Sequence, residues 1–296
     1  MLSLEERIKK AALKLYRDGL IVSTTNIAEL IGAPNHGIVS YFLRKRYSAE
    51  IENVKNRFKL SIPSTQILRE GLKIYSGNLY EALDTYGSSI KVSTMDWHKN
   101  VRIPISINAS VAELTGIYWA TGFIRENQKK EGSIKSFVIQ GRCSDKKLFK
   151  NIVRQLIKRH HNLEIDVKYS YHTIDGVEYD NPRILINSLS ALAWLTNVLG
   201  FPDDKTNLDL PKINLDDITI MKGFLKGVIE SSYSITSSKL AFSNRSLNYL
   251  AGLKTLFENF NIHSSLIQRS NSSSYRLDLS VEGTNRLKIM GLFSPR

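Results

Sequence analysis

Apolar side chains three and four residues apart set out the first element of this chain. In "LEERIKKAALKLYRDG" Ile8, Ala11, Ala12 and Leu15 share one helix face, Ser3 and Glu6 supply a capping box ahead of it, and Gly19 ends it. The next apolar stretch predicts a short helix from about Thr25 to Ile31, a turn at Gly32-Ala33-Pro34, and a longer helix opened by Asn35 as N-cap. Pro63, within the polar stretch Ser61 to Thr65, marks a break. Beyond it the pattern predicts a helix from about Ser64, a short helix from Leu79 to Tyr86, Gly87, and a helix capped by Ser88 or Ser89 that runs to Lys99.

From Val101 helices alternate with strand-like segments. Two apolar runs, "ELTGIYWATGFI" (Glu113 to Ile124) and "MKGFLKGVIESSYSI" (Met221 to Ile235), carry glycine and small residues spaced as though another helix came close. The first leads into a short strand near Phe123 to Arg125, the strand "SIKSFVIQGR", the helix "DKKLFKNIVRQLIKRHH", strands "EIDVKYSYH" and "PRILIN", and a helix through "SALAWLTNVLG". The second leads into "YSIT", "KLAFS", the helix "SLNYLAGLKTLFENF", strands "HSSLIQR" and "YRLDLS", and a helix through "EGTNRLKIMG". The order α-β-β-α-β-β-α thus occurs twice, joined by "FPDDKTNLDLPKI", which is an internal duplication. The expected fold class is α+β: an N-terminal helical region followed by two pseudo-symmetric αββαββα units. The expected domains are 1–60, 61–105, 106–204 and 205–296.

Composition narrows the partners. The chain has 296 residues, 42% of them hydrophobic, enough for a large core and more than one domain. A net charge of +13 and a pI near 9.6 imply an anionic partner, most often nucleic acid, less often an acidic membrane surface. The single cysteine, Cys143, excludes an internal disulfide and suits a small, partly buried apolar role. The start "MLSLEERIKK" lacks the apolar core of a signal peptide, and no apolar stretch is long enough to span a bilayer, so a soluble cytoplasmic, nucleoid-associated protein with no membrane contact is expected. The histidines offer no pair at i, i+4 with a partnering acid, and the adjacent His160 and His161 read as solvated; no metal and no cofactor are expected.

Ala28 followed four residues later by Gly32, ahead of the helix capped by Asn35, resembles the helix-turn-helix family. The resemblance implies that Asn35, His36, Gly37 and Ser40 face bases while Arg44, Lys45 and Arg46 hold phosphate. "GNLYEA…GSS" resembles a second such module, although Leu83 stands where alanine is usual; Lys91, Ser93, Thr94 and Trp97 would then lie on or beside its recognition helix. A plain helical linker is the alternative there.

The order of elements and the two apolar helices resemble the LAGLIDADG homing endonuclease family in its single-chain, two-motif form, over roughly Ser110 to Pro295. The motifs align as Leu114 to Gly122 and Leu225 to Tyr233. The resemblance implies that the motif helices pack on a pseudo-twofold axis through Gly116 with Ala120 and Gly227 with Ser231. It also implies a metal-binding acid at the eighth letter of each motif, where this chain has Thr121 and Ser232. Neither is a carboxylate, so the paired charge for a hard cation is missing. Glu230 lies two residues before Ser232, about 200° around the helix, and points elsewhere.

In the family geometry the polar strand faces read the major groove, which admits a β-ribbon. Alternation puts Ser136, Val138, Gln140 and Arg142 on such a face, opposite Phe137 and Ile139. Asp166, Lys168, Ser170 and His172 point outward with Arg183 and Asn187, while Ile165, Val167, Tyr169 and Tyr171 pack inward. In the second repeat Arg276 and Asp278 lie opposite Tyr275, Leu277 and Leu279, with Gln268 or Arg269 on the preceding strand. The resulting expectation is a monomer that binds double-stranded DNA sequence-specifically without cleavage, as a transcription regulator and not an enzyme. The alternatives are an active or recently decayed homing endonuclease and an RNA-binding intron maturase.

Overall fold

The computed structural model describes residues 3–17, 24–42, 77–93, 95–96, 99–129, 132–174, 177–236, 238–269 and 273–293. Arg44, Lys45 and Arg46, the helix expected from Ser64, and Thr94 and Trp97 lie outside them. The chain divides into two compact units, Met1–Ile105 with Ser188–Trp194, and Ser106–Asn187 with Leu195–Arg296.

The first unit opens with α1 (Leu4–Arg17) and α2 (Thr24–Ile31). The capping box forms as the sequence requires: Glu6 N–H donates to Ser3 Oγ at 3.2 Å, and Ser3 N–H donates to the Glu6 carboxylate at 2.8 Å. Arg7 donates to the carbonyl of Ile31, and Ile8, Ala12, Ile27 and Val39 are fully buried. Gly32 takes φ +66, a left-handed conformation that glycine adopts without penalty, and so ends α2. Helix α3 covers 36–42, with Ile38 N–H donating to Asn35 Oδ1 at 3.3 Å as an N-cap. Farther on, α4 spans Gly77–Tyr86.

One element differs from expectation. Gly87 has φ +55 and opens a 3₁₀ turn, Gly87–Ser89, followed by an extended Ile90 and by residues 91–93 outside any helix, so no helix starts at Ser88 or Ser89. The next helical turn is opened by Ser93, whose Oγ accepts from Asp96 N–H at 3.1 Å while Ser93 N–H donates to the Asp96 carboxylate at 3.3 Å. Asp96 is 2% exposed and also accepts from Ser190 N–H at 3.0 Å and Ser190 Oγ at 2.9 Å, which fixes the start of α7 (Leu189–Ala193) in this unit.

The second unit contains the duplication. Its first repeat runs α5 (Ala109–Thr121), β1 (Gly122–Lys129), β2 (Gly132–Gln140), helical turns from Cys143 leading into α6 (Arg154–His161), β3 (Lys168–Ile174) and β4 (Val177–Ile186). The second runs α8 (Ile218–Ser232), β5 (Ser234–Thr236), β6 (Lys239–Asn244), α9 (Leu247–Glu258), β7 (Ser264–Gln268), β8 (Tyr275–Leu279) and α10 (Val281–Ile289). The sheets have the same antiparallel order, β1-β2-β4-β3 and β5-β6-β8-β7. The first strand is longer than the expected short segment, because it pairs with β2 from Gly122↔Ile139 to Lys129↔Gly132.

The motif helices meet along backbone. A Cβ added to Gly116 would overlap the Phe224 carbonyl and lie 2.9 Å from Val228 N; one added to Gly227 would overlap the Glu113 carbonyl and lie 2.9 Å from Ile117 N. These contacts are images of one another, since one sequence offset relates Glu113 to Phe224, Gly116 to Gly227 and Ile117 to Val228. Gly223, one turn before Gly227, touches the backbone of Ala109 in the same manner. The small-residue stripe on α8 is therefore Gly223, Gly227 and Ser231, one member longer than the motif letters suggest.

Candidate nucleic-acid interface

Each sheet buries one face and leaves most of the other accessible. Phe137, Ile139, Ile184 and Ile186 of the first sheet, and Leu240, Phe242, Leu277 and Leu279 of the second, are at most 2% exposed. On the opposite face, register brings three predicted residues into one cross-strand row. Gln140 pairs with Arg183, and Arg183 pairs with Lys168, so the row Gln140–Arg183–Lys168 crosses β2, β4 and β3. Gly122, directly after Thr121, pairs with Ile139, directly before Gln140, so the row continues toward the end of the first motif helix.

The second sheet repeats the arrangement. Phe242 pairs with Leu277 as Ile139 pairs with Ile184, so Ser243↔Arg276 is the counterpart of Gln140↔Arg183. Ile267 takes the place of Lys168. Arg276 is held in place: its Nε lies 2.5 Å from Asp278 Oδ1 and its Nη2 donates to Thr236 Oγ1 at 3.0 Å. Asp278 thus orients an arginine on its own strand.

Several predicted residues sit elsewhere. Ser136 is 2% exposed and Val138, on the same face of the inner strand β2, is fully buried, so neither reaches a groove; Arg125, the partner of Ser136 on β1, is the exposed cation at that level. Gln268 pairs with Tyr275, so it shares the helix-side face, and Arg269 is the residue with the parity of Ile267 and Arg276. Tyr171 is 74% exposed and not inward, because the β3–β4 hairpin extends past the core. Arg142 is occupied: its Nε pairs with the buried Asp145 at 3.2 Å, and Nη1 donates to the carbonyl of Tyr233, whose ring lies 5.5 Å away. It ties the first sheet to the end of the second motif helix. His161, expected to be solvated, is fully buried and stacks on Tyr118, while His160 Nε2 lies 2.8 Å from Ser110 Oγ. Asn187 is exposed on the face of Arg183, and Asn35, His36 and Lys91 are exposed in the first unit, where Ser40 is half-buried. Cys143 Sγ donates to Asp180 Oδ1 at 3.3 Å.

The two motif helices end alike. Thr121 Oγ1 donates to the Ile117 carbonyl and Ser232 Oγ to the Val228 carbonyl, both at 2.8 Å. A divalent cation shared by two helix ends asks for carboxylates, and these hydroxyls, bonded back to their own helices, do not fit it. Among the described residues no group of three or more His, Cys, Asp or Glu is placed to hold a metal ion. Glu230 lies one turn beyond Lys226 and adds to the negative field there.

A cation the sequence did not single out stands beside this end of the helix. Lys205 Nζ donates to the Ala120 carbonyl at 3.1 Å, and burial lowers its pKa from 10.5 to about 8. A lysine depressed in the folded state binds fewer protons than the unfolded chain between pH 8 and 10.5, so stability rises with pH across that window, while below pH 8 the full cost is present. Urea midpoints of wild type and Lys205→Met at pH 7 and 10 test this. Wild type should gain on the variant by about 1 kcal/mol as pH rises; a constant difference would show an ordinary surface lysine.

No family model and no curated protein matches the chain. Solved structures do. I-DmoI in complex with DNA and Mn is 16% identical over 64% of this chain and 100% of that one, with a TM-score of 0.43. A variant of this homing endonuclease, with its target DNA nicked in the coding strand in the presence of Mn, is 17% identical over 64% of this chain and 97% of that one, TM-score 0.43. Full-length DUF199/WhiA from Thermatoga maritima is 15% identical over 64% of this chain and 57% of that one, TM-score 0.41. At these scores no residue role carries across. The matches nevertheless correct one expectation: homing endonucleases stand among them, so the missing acids do not place this chain among non-enzymes.

Proposed function

We propose that this single-chain LAGLIDADG-like fold binds double-stranded DNA with sequence preference and serves as a transcription regulator. The observation that carries the reading is the matched pair of rows, Gln140–Arg183–Lys168 and Ser243–Arg276, on polar faces of two pseudo-symmetric sheets in a chain of net charge +13. Arg, Gln and Lys are side chains that bond base edges and phosphates in a groove wide enough for strands. The first unit would add a second contact, through His36 and Ser40 on α3 and the neighbouring Arg44, Lys45 and Arg46. No helix among the described residues is long and apolar enough to cross a membrane.

Selection of duplexes from a randomised pool by the full-length protein tests this, followed by competition with single- and double-stranded RNA. The expected result is an enriched duplex motif, bound with a steep salt dependence. Equal retention of random duplexes, or preference for RNA, would overturn the reading. The same reactions with magnesium or manganese report cleavage; cutting at the selected motif would make the chain an endonuclease and end the regulator proposal.

A further inference from the structure

The second unit holds a cleft of about 620 Å³ between α5, α6 and the first half of α8. Leu156 and Leu292 give it an apolar floor, and Glu113, Arg159, Lys222 and Lys226 stand around it. Lys226 pairs with Glu113 at 3.0 Å, so those two charges cancel. Arg159 and Lys222 have no carboxylate partner among the described residues, and leave the cleft with two positive charges uncompensated.

Solvated lysines and arginines are ordinary, but the pseudo-symmetry shows that this cleft is a departure from its counterpart. The offset that relates Gly116 to Gly227 relates Val111 to Lys222 and Thr115 to Lys226. On the first motif helix these positions are closed, with Val111 at 2% and Thr115 at 0% exposure. On the second the same stripe is polar and open. The volume lies within the roughly 300–1,000 Å³ of small-molecule sites, and the mix of apolar floor and few charged groups is also theirs. Lys222 precedes Ser232 by nearly three turns, about 15 Å along the helix, and Lys226 by about 9 Å, so the cleft lies toward the opposite end of α8 from Ser232.

We propose that this cleft binds a small anionic molecule: a doubly charged acidic head, of the phosphate-monoester class, on an apolar body. Arg159 and Lys222 take the head, and Leu156 and Leu292 the body. A ligand there would touch α6 of one repeat and α8 of the other. The proposal is independent of DNA binding, and so is its test.

The test uses the full-length protein and the fluorescent dye anilinonaphthalene sulfonate, which joins an anionic group to an apolar body. Phenyl phosphate is the competitor; inorganic phosphate and phenol are its bodiless and headless controls. Expected is a saturable dye site displaced by phenyl phosphate at concentrations at least about tenfold lower than by either control. Arg159→Glu and Lys222→Glu should each weaken it about tenfold or more, as loss of a charged hydrogen bond implies, whereas Lys288→Glu on the exposed side of α10 should not. Dye affinity unchanged by both cleft variants would overturn the proposal. Displacement of the dye by saturating duplex DNA would overturn it as well, by making the cleft part of the nucleic-acid surface.

Discussion

Gly227→Ala is expected to destabilise the protein by at least ~3 kcal/mol, although alanine is the better helix former by up to about 1 kcal/mol. The sign follows from geometry. Gly227 lies in the interior of α8, where propensity alone predicts a gain, yet the new methyl would overlap the Glu113 carbonyl and sit 2.9 Å from Ile117 N. Neither neighbour is the end of a flexible side chain; both belong to the backbone of a helix packed on sheets, so the helices must separate. Gly116→Ala makes the mirror-image overlap with Phe224 and Val228 and should cost about as much. The double variant should cost clearly less than the two added together, because helices already forced apart admit the second methyl cheaply. Urea unfolding measures all three. Stability equal to or above wild type in either single variant would show that the helices do not meet as described.

The duplication and the glycine contacts were legible because they depend on residue type at fixed spacing. Two helices bearing glycine and alanine or serine four residues apart, in a repeated order of elements, leave few arrangements other than one helix against the other. Register was less legible. Whether Gln268 or Arg269 joins Arg276 depends on which residue of β7 pairs with it, and nothing local in "HSSLIQRS" decides between neighbours; the ladder puts Ile267 there. Tyr171 alternates correctly with Lys168 and Ser170, but alternation is silent on where a hairpin outruns its core. Ser88 and Ser89 looked like caps, and Ser93 with Asp96 formed the box, because both carry the same short polar signature and the left-handed Gly87 had already ended the preceding helix in a turn. Arg142 has the composition of a base reader and is drawn instead to the buried Asp145, a pairing across three residues that strand alternation does not anticipate.

Replacing Arg183 or Arg276 by alanine is expected to weaken the selected duplex by about 1–3 kcal/mol, roughly 5- to 150-fold, and to relax preference at one base position, a different position for each. The two arginines are equivalent in register, one across from Gln140 and one across from Ser243, so each should address one half of the site. They differ in support. Arg276 is aimed by Asp278 and Thr236, whereas no carboxylate among the described residues pairs with Arg183. Asp278→Asn should therefore blur preference at the base that Arg276 reads and leave the Arg183 position unchanged. Lysine at either place keeps the charge but loses the fork that makes two parallel bonds to guanine, so Arg183→Lys and Arg276→Lys should recover affinity more than specificity. Lys168→Ala, at the end of the first row, serves as the contrast: loss of a phosphate contact lowers affinity for all sequences alike and reduces the salt slope by about one. A binding assay over a randomised site library at two salt concentrations separates these outcomes. If both alanine variants keep wild-type preference and lose affinity uniformly, the sheets only clamp phosphate, and specificity must come from the helices of the first unit.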